Sequence, residues 1–268
     1  MRIKIRERGK TMTQELHKNT KVIAVAGKGG VGKTSLAAAM VKVLTARCPG
    51  QRILAIDADP AVGLSTALGV EVHGTIDAIR KAVVATVEEG DTRSALELLA
   101  ESEYRIYDAM TECDGFAFIA VGRPESAGCY CKINNYLKAV IQLLSDNFDY
   151  VVIDGEAGIE QINRRVMERV THLLLVTDTS RKGTQVIQTI HKVADELVMY
   201  EKVGAVVNRV LSEASVKLVD TGNIPVLSYI AADEQLAEAD LRGESVLALP
   251  FDTALVRGAA EVLDKMAV

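Results

Sequence analysis

Two hydrophobic rhythms alternate along the chain. Short unbroken apolar runs, mostly Val, Ile, Leu and Ala, fall at 22–26, 53–57, 116–121, 149–154, 172–177, 203–207 and 226–230. Runs of that length without polar alternation are the pattern of strands buried on both faces. Between them, apolar residues recur at helical spacing near 33–47, 75–89, 92–101, 133–146, 160–168, 183–200 and 212–220, with a last helix near 252–266. Strand–helix alternation predicts crossover connections, hence an α/β fold: a doubly wound, mostly parallel sheet with helices on both faces. Sheets of that kind bind ligands along the C-terminal edge of their strands. Residues 1–20 are polar and read as a flexible extension, with 21–268 as one domain.

Composition narrows the class. With 268 residues, 49% hydrophobic and 25% charged, the chain can fill a large core and is not a disordered polymer. No apolar run reaches the roughly 18 residues of a membrane span. The basic start, Met1 to Arg8, lacks the apolar segment and cleavage site of a signal peptide. The expected location is therefore the cytoplasm, with no membrane partner. A net charge of −5 argues against a nucleic-acid partner. Segment 70–115 carries Glu88, Glu89, Asp91, Glu97, Glu101 and Glu103 and reads as acidic helices outside the sheet, presenting either a solvated face or a partner-docking surface. Four cysteines in a cytoplasmic protein are not a disulfide framework.

Chemistry concentrates where strands end. After the first strand, Gly27-Lys28-Gly29-Gly30-Val31-Gly32-Lys33-Thr34 matches G-x-x-x-x-G-K-[ST], and Ser35 continues into a helix. Strand, glycine loop and helix form the context that a phosphate-binding loop requires. Its backbone N–H groups can wrap a phosphate chain at the positive end of the helix. Lys33 would reach the β- and γ-phosphates, and the Thr34 hydroxyl would hold Mg²⁺. The fourth strand, Tyr150 to Asp154, ends in an aspartate, the arrangement that supports Mg²⁺ in such sites. Asp57 and Asp59 follow the second strand two residues apart, so their side chains point the same way. Asn208, before Arg209 at the end of the sixth strand, can pair with adenine through one donor and one acceptor.

These motifs resemble the MinD/ParA/nitrogenase-iron-protein class of ATPases with a deviant phosphate loop. The resemblance implies ATP hydrolysis with Mg²⁺ by a homodimer. Lys28 would reach the partner's nucleotide, Asp57 would sit near Mg²⁺, and Asp59 would orient the attacking water. Gly158, within Gly155 to Glu160, would read the γ-phosphate. Asn208, with Arg209 beside it, would recognise the base, with Asp233 on the second base-side loop. The catalytic set is then Lys28, Lys33, Asp59 and Asp154.

The remaining motif is Cys129-Tyr130-Cys131. Two thiolates fill half of a tetrahedral site; the pairs of two subunits would complete it for Zn²⁺, Ni²⁺ or, less well, an iron–sulfur cluster. With Gly122 to Cys131 and Glu156-Ala157-Gly158-Ile159-Glu160, the chain resembles the CooC-type nickel-insertion ATPases that mature carbon monoxide dehydrogenase, and their relatives that serve acetyl-CoA synthase. That resemblance covers 21–268 and implies Ni²⁺ or Zn²⁺ at a Cys129/Cys131 interface site and a nickel enzyme as client. Two alternatives stand beside it. One is a reductase with a dimer-bridging [4Fe–4S] cluster, against which Gly155 to Gln161 offers no cysteine. The other is a positioning ATPase, which would need a membrane-binding terminal helix or a basic DNA surface.

Overall fold

A computed structural model of the chain describes residues 20–59, 63–122, 131–155, 169–198 and 200–268. Among these, eight strands make one sheet: β1 (Lys21–Gly27), β2 (Ile53–Asp57), β3 (Thr111–Cys113), β4 (Phe116–Ala120), β5 (Tyr150–Asp154), β6 (His172–Thr177), β7 (Lys202–Val210) and β8 (Val226–Ala231). Their order is β3-β4-β2-β5-β1-β6-β7-β8, and all neighbours are parallel except β3 and β4. All seven expected strands form. The eighth, β3, is a three-residue antiparallel edge whose pattern is too short to stand out in the sequence.

The helices are α1 (Lys33–Arg47), α2 (Gly63–Leu68), α3 (Ile76–Glu88), α4 (Thr92–Ala100), α5 (Ser102–Ala109), α6 (Cys131–Ser145), α7 (Arg181–Leu197), α8 (Glu213–Val216), α9 (Glu234–Arg242) and α10 (Ala254–Met266), with a 3₁₀ turn at Val246–Ala248. The expected helix at 212–220 shrinks to the single turn α8, capped by Ser212 and left without a buried residue. Three helical segments escaped the periodicity: α2, α5 and α9. α2 and α5 are short, and α9 buries only Ala239, so no apolar stripe marks it. The expected helix at 160–168 lies outside the described residues.

Strand alternation builds the core in two layers. Along β1, Val22, Ala24 and Ala26 join one cluster with residues of α3, α5, α6 and α7, including Val83, Ile106, Ile141 and Ile187. Ile23 and Val25 join the other, with residues of α1, α2 and α10, such as Leu36, Leu64 and Leu255. The central strands β1, β2 and β5 are almost wholly apolar because each face meets a helical layer. Local capping supports this packing: Thr75 caps α3 on the Ala78 N–H, Asp91 caps α4 on the Ser94 N–H, and Ser180 caps α7 on the Gly183 N–H.

β1 lies between β5 and β6 and delivers the chain to the C-terminal edge at Gly27. Gly27 has φ 146°, and a Cβ there would sit 2.1 Å from the Val176 carbonyl oxygen of β6. Only glycine fits. Replacing it adds both backbone strain and a clash with a strand that cannot move. Gly27→Ala is expected to lower unfolding free energy by about 2–4 kcal/mol, read from the urea midpoint at constant m-value.

Candidate functional site

The loop after Gly27 makes a cradle by backbone conformation alone. Gly30 and Gly32 have φ 75° and 89°, so their N–H groups turn to one side. Gly32 sits at the N-cap of α1 with no side-chain cap, leaving the first N–H groups of that helix for a ligand. A cavity of about 410 Å³ lies over the loop, lined by Gly29, Gly30, Gly32, Lys33, Thr34, Asp59 and Arg209. Lys33 is only 8% exposed, and its ammonium donates to the Lys28 carbonyl at 3.3 Å, curled over its own loop. A buried cation, upturned N–H groups and a helix N-terminus form a site for a polyphosphate.

The strand register supplies the acids. In the β2–β5 pair, Asp57 stands directly beside Asp154. Both are buried but used differently. Asp57 accepts from the Asp59 N–H at 3.1 Å and the Leu64 N–H at 2.8 Å, tying the following segment to the sheet edge. Burial raises its pKa to about 6, and those backbone bonds limit the rise. Asp154 is fully buried, and neither of its oxygens finds a partner of hydrogen-bonding geometry among the described residues. Burial pushes its pKa up to about 7; the neighbouring Thr34 hydroxyl and Lys33 pull it down, and Asp57 and Asp59 push it further up. An orphaned carboxylate beside a threonine hydroxyl suits a hard cation with oxygen ligands, so the site fits Mg²⁺. Thr34 and Asp154 would hold the ion, directly or through water, with Asp57 behind them. Bound there, it would neutralise charge on the phosphates.

Lys28 does not extend into solvent. Its ammonium lies 2.5 Å from Asp178 Oδ2 and 3.4 Å from Ser180 Oγ, in the turn between β6 and α7. Burial pushes the Asp178 carboxyl up, but bonds from Lys28 and Ser180 outweigh it and hold the pKa below the usual range. Asp178 and Ser180 were not singled out in the sequence. Their signal was there: an acid directly after a strand on the phosphate-loop edge, then a helix-capping serine.

Asn208 is also occupied. Its Nδ2 donates to the Val31 carbonyl at 2.8 Å and its Oδ1 accepts from the Arg209 N–H at 2.9 Å. It pins the phosphate loop to the end of β7, leaving one N–H and one lone pair for a base. A second cleft of about 560 Å³ runs from Gly32 and Ser35 past Asn208 to Leu236, Asp240 and Leu255. Asp233 lines it but spends both oxygens on helix N-termini, at the Leu236 and Leu255 N–H groups. The mostly apolar cleft opening off a phosphate cavity has the shape needed for a nucleoside.

The structure thus brings Lys28, Lys33, Thr34, Ser35, Asp57, Asp59, Asp154, Asn208, Arg209 and Asp233 to one sheet edge. Gly158 and Cys129 lie outside the described residues. Cys131 begins α6, which starts two residues earlier than the sequence suggested. Among the described residues, no group of three or more His, Cys, Asp or Glu side chains could hold a metal ion, and Cys48 and Cys113 are free thiols. No helix among them is long and apolar enough to cross a membrane.

Phosphate cradle, paired strand-end acids and nucleoside cleft on a doubly wound sheet define a nucleotide-hydrolysing switch. The chain belongs to the CobQ/CobB/MinD/ParA nucleotide binding domain family, whose pattern matches residues 22–246. It is an ATPase of the ParA/MinD type. An uncharacterized ATP-binding protein of Methanocaldococcus jannaschii is 33% identical over 250 residues, spanning 91% of this chain and 98% of the relative. The carbon monoxide dehydrogenase accessory protein CooC of Rhodospirillum rubrum is 27% identical over 235 residues, 83% of this chain and 88% of its own. Among solved structures, the MinD cell division protein of Aquifex aeolicus superposes with a TM-score of 0.64 at 18% identity, covering 92% of this chain and 96% of that one.

The raised pKa of Asp154 has a measurable sign. An acid that is harder to ionise folded than unfolded contributes stability below its unfolded pKa, near 3.8, and loses it as pH rises toward about 7. Nucleotide-free protein should therefore lose stability between about pH 4 and 7, and Asp154→Asn should flatten that slope. At pH 8 the variant should melt higher, by about 2–4 °C per kcal/mol recovered, in calorimetric scans without Mg²⁺.

Proposed function

We propose that this ATPase is a dimeric metallochaperone. In this reading it couples ATP binding and hydrolysis to delivery of nickel, its cargo, to carbon monoxide dehydrogenase or acetyl-CoA synthase. The observation that carries the reading is the Cys129-x-Cys131 pair in the sequence, whose second cysteine begins α6. The likeness to a carbon monoxide dehydrogenase accessory protein over most of both chains supports it.

Residues 21–268 act as one ATPase unit. Lys33 and the loop N–H groups bind the phosphates. Thr34 and Asp154 hold Mg²⁺, and Asp59 orients the attacking water. Gly158 reads the γ-phosphate. Lys28 leaves Asp178 when ATP draws two subunits together and then serves the nucleotide of the partner. The cysteine pairs of both subunits meet in that dimer and hold Ni²⁺ or Zn²⁺ through four thiolates.

A positioning ATPase is the other reading that the family supports. For its membrane-bound form α10 offers no free apolar face, because Leu255, Val256, Ala259, Val262, Leu263 and Met266 lie in the core. A bridging-cluster reductase is the third.

Anaerobically purified protein with ATP should be colourless and carry about one Ni²⁺ or Zn²⁺ per dimer. Cys129→Ala/Cys131→Ala should lose that metal by elemental analysis. Wild-type stoichiometry in the double variant sinks the proposal. A brown protein containing iron and sulfide points to the reductase, and ATP-dependent sedimentation with liposomes or DNA points to positioning. Separately, Lys28→Ala and Asp59→Ala should each lose ATP turnover by about 100-fold or more, on the scale of removing a catalytic group. Asp59→Ala should still bind ATP in equilibrium titration; unchanged turnover in either variant removes the assigned role.

A further inference from the structure

We infer that Arg209 is a phosphate clamp: its guanidinium grips the nucleotide's phosphate chain where that chain passes from the loop cavity into the nucleoside cleft. This rests on the ATPase assignment and changes the part given to Arg209, from a neighbour of the base to a ligand of the phosphates.

Three observations carry the inference. First, the two cavities share Gly32 and Arg209 in their walls. A nucleotide with its phosphates over the loop and its base in the cleft must thread between them. The α- and β-phosphates, the groups at that junction, then lie against Arg209. Second, the backbone there is strained. Arg209 has φ 56°, a left-handed conformation costly for any residue with a Cβ, and sits where the β7–β8 register shifts between Val207 and Val210. Irregularities of this kind re-aim a side chain beside a site. The bond from the Arg209 N–H to Asn208 Oδ1, with Asn208 itself tied to the Val31 carbonyl, fixes the bend to the phosphate loop. Third, Arg209 is exposed and makes no ion pair among the described residues, although Asp59, Asp178, Asp233 and Asp240 line the same two cavities. Lys28, by contrast, is already engaged with Asp178.

A guanidinium is permanently charged and presents a planar fork of donors that matches two phosphate oxygens. Placed at the junction, it would contact groups common to ATP and ADP and not the γ-phosphate alone. Its removal should weaken both nucleotides together and spare the chemical step.

The test is calorimetric titration of the full chain with ATP, ADP and adenosine, beside steady-state ATP turnover. Arg209→Gln should weaken ATP and ADP by about tenfold or more, leave adenosine affinity unchanged, and raise KM with kcat within about twofold. Arg209→Lys should recover part of the loss. Arg209→Gly removes the guanidinium and relieves the positive φ, so it should melt no lower than wild type yet bind ADP as weakly as Arg209→Gln. ADP affinity within twofold of wild type in both neutral variants overturns the proposal. Equal losses for adenosine and ADP also overturn it, placing Arg209 on the base. A protein whose wild-type form binds ADP but whose cysteines bind no metal refutes the metallochaperone reading and leaves the clamp standing.

Discussion

The close passage of Gly27 against the Val176 carbonyl governs the rest of the site. With no side chain on β1 at that point, the strand ends hard against β6, and the chain turns at once into the loop over the strand edge. From this turn Lys28 reaches the Asp178 turn that follows β6, and Lys33 enters the first turn of α1. β1 also holds β5 on its other side, so the loop and Asp154 are fixed relative to each other by backbone ladders and not by loop contacts. A phosphate cavity made this way is preorganised: its geometry is set by the sheet before any ligand arrives.

That rigidity stands beside an electrostatic arrangement far from neutral comfort. Two carboxylates, Asp57 and Asp154, are buried next to each other, and only the first has its oxygens satisfied. Opposite them lie two cations that are engaged internally, Lys33 on a carbonyl and Lys28 on Asp178, and one, Arg209, that makes no ion pair among the described residues. The fold thus sets a buried acid that suits a cation on the same sheet edge as an arginine that suits an anion. A magnesium nucleotide answers both, so binding energy here comes as much from relieving these burdens as from new contact area.

The comparison between pattern and structure is instructive at particular residues. The central strands β1, β2, β5 and β6 were visible because each is buried on both faces, which leaves a nearly unbroken apolar run; the edge strand β8 was visible although Tyr229 and Ala231 are exposed. The helix over Lys33–Arg47 was visible for a similar reason, since nine of its residues are buried. α9 was invisible because it buries one alanine and is otherwise defined by its Asp233 cap and Gly243 terminus. Asn208 shows the limit for side-chain roles. Its chemistry suits adenine equally well and a carbonyl equally well; proximity to Val31 settles where its amide goes in this structure.

The sequence by itself determined the sheet, the phosphate loop and the acids that end β2 and β5, because hydrophobic period and glycine placement are local properties written into adjacent residues. It also determined that two cysteines stand two apart, the second of them the first residue of α6. Tertiary structure alone decided which acid is left unsatisfied, where Lys28 rests, and that Arg209 stands at the meeting of two cavities. Those facts depend on contacts between residues as far apart as Lys28 and Asp178, or Val31 and Asn208, brought together by strand order. Strand order is set by how the two apolar faces of the sheet are covered, a property of the whole chain and of no single segment.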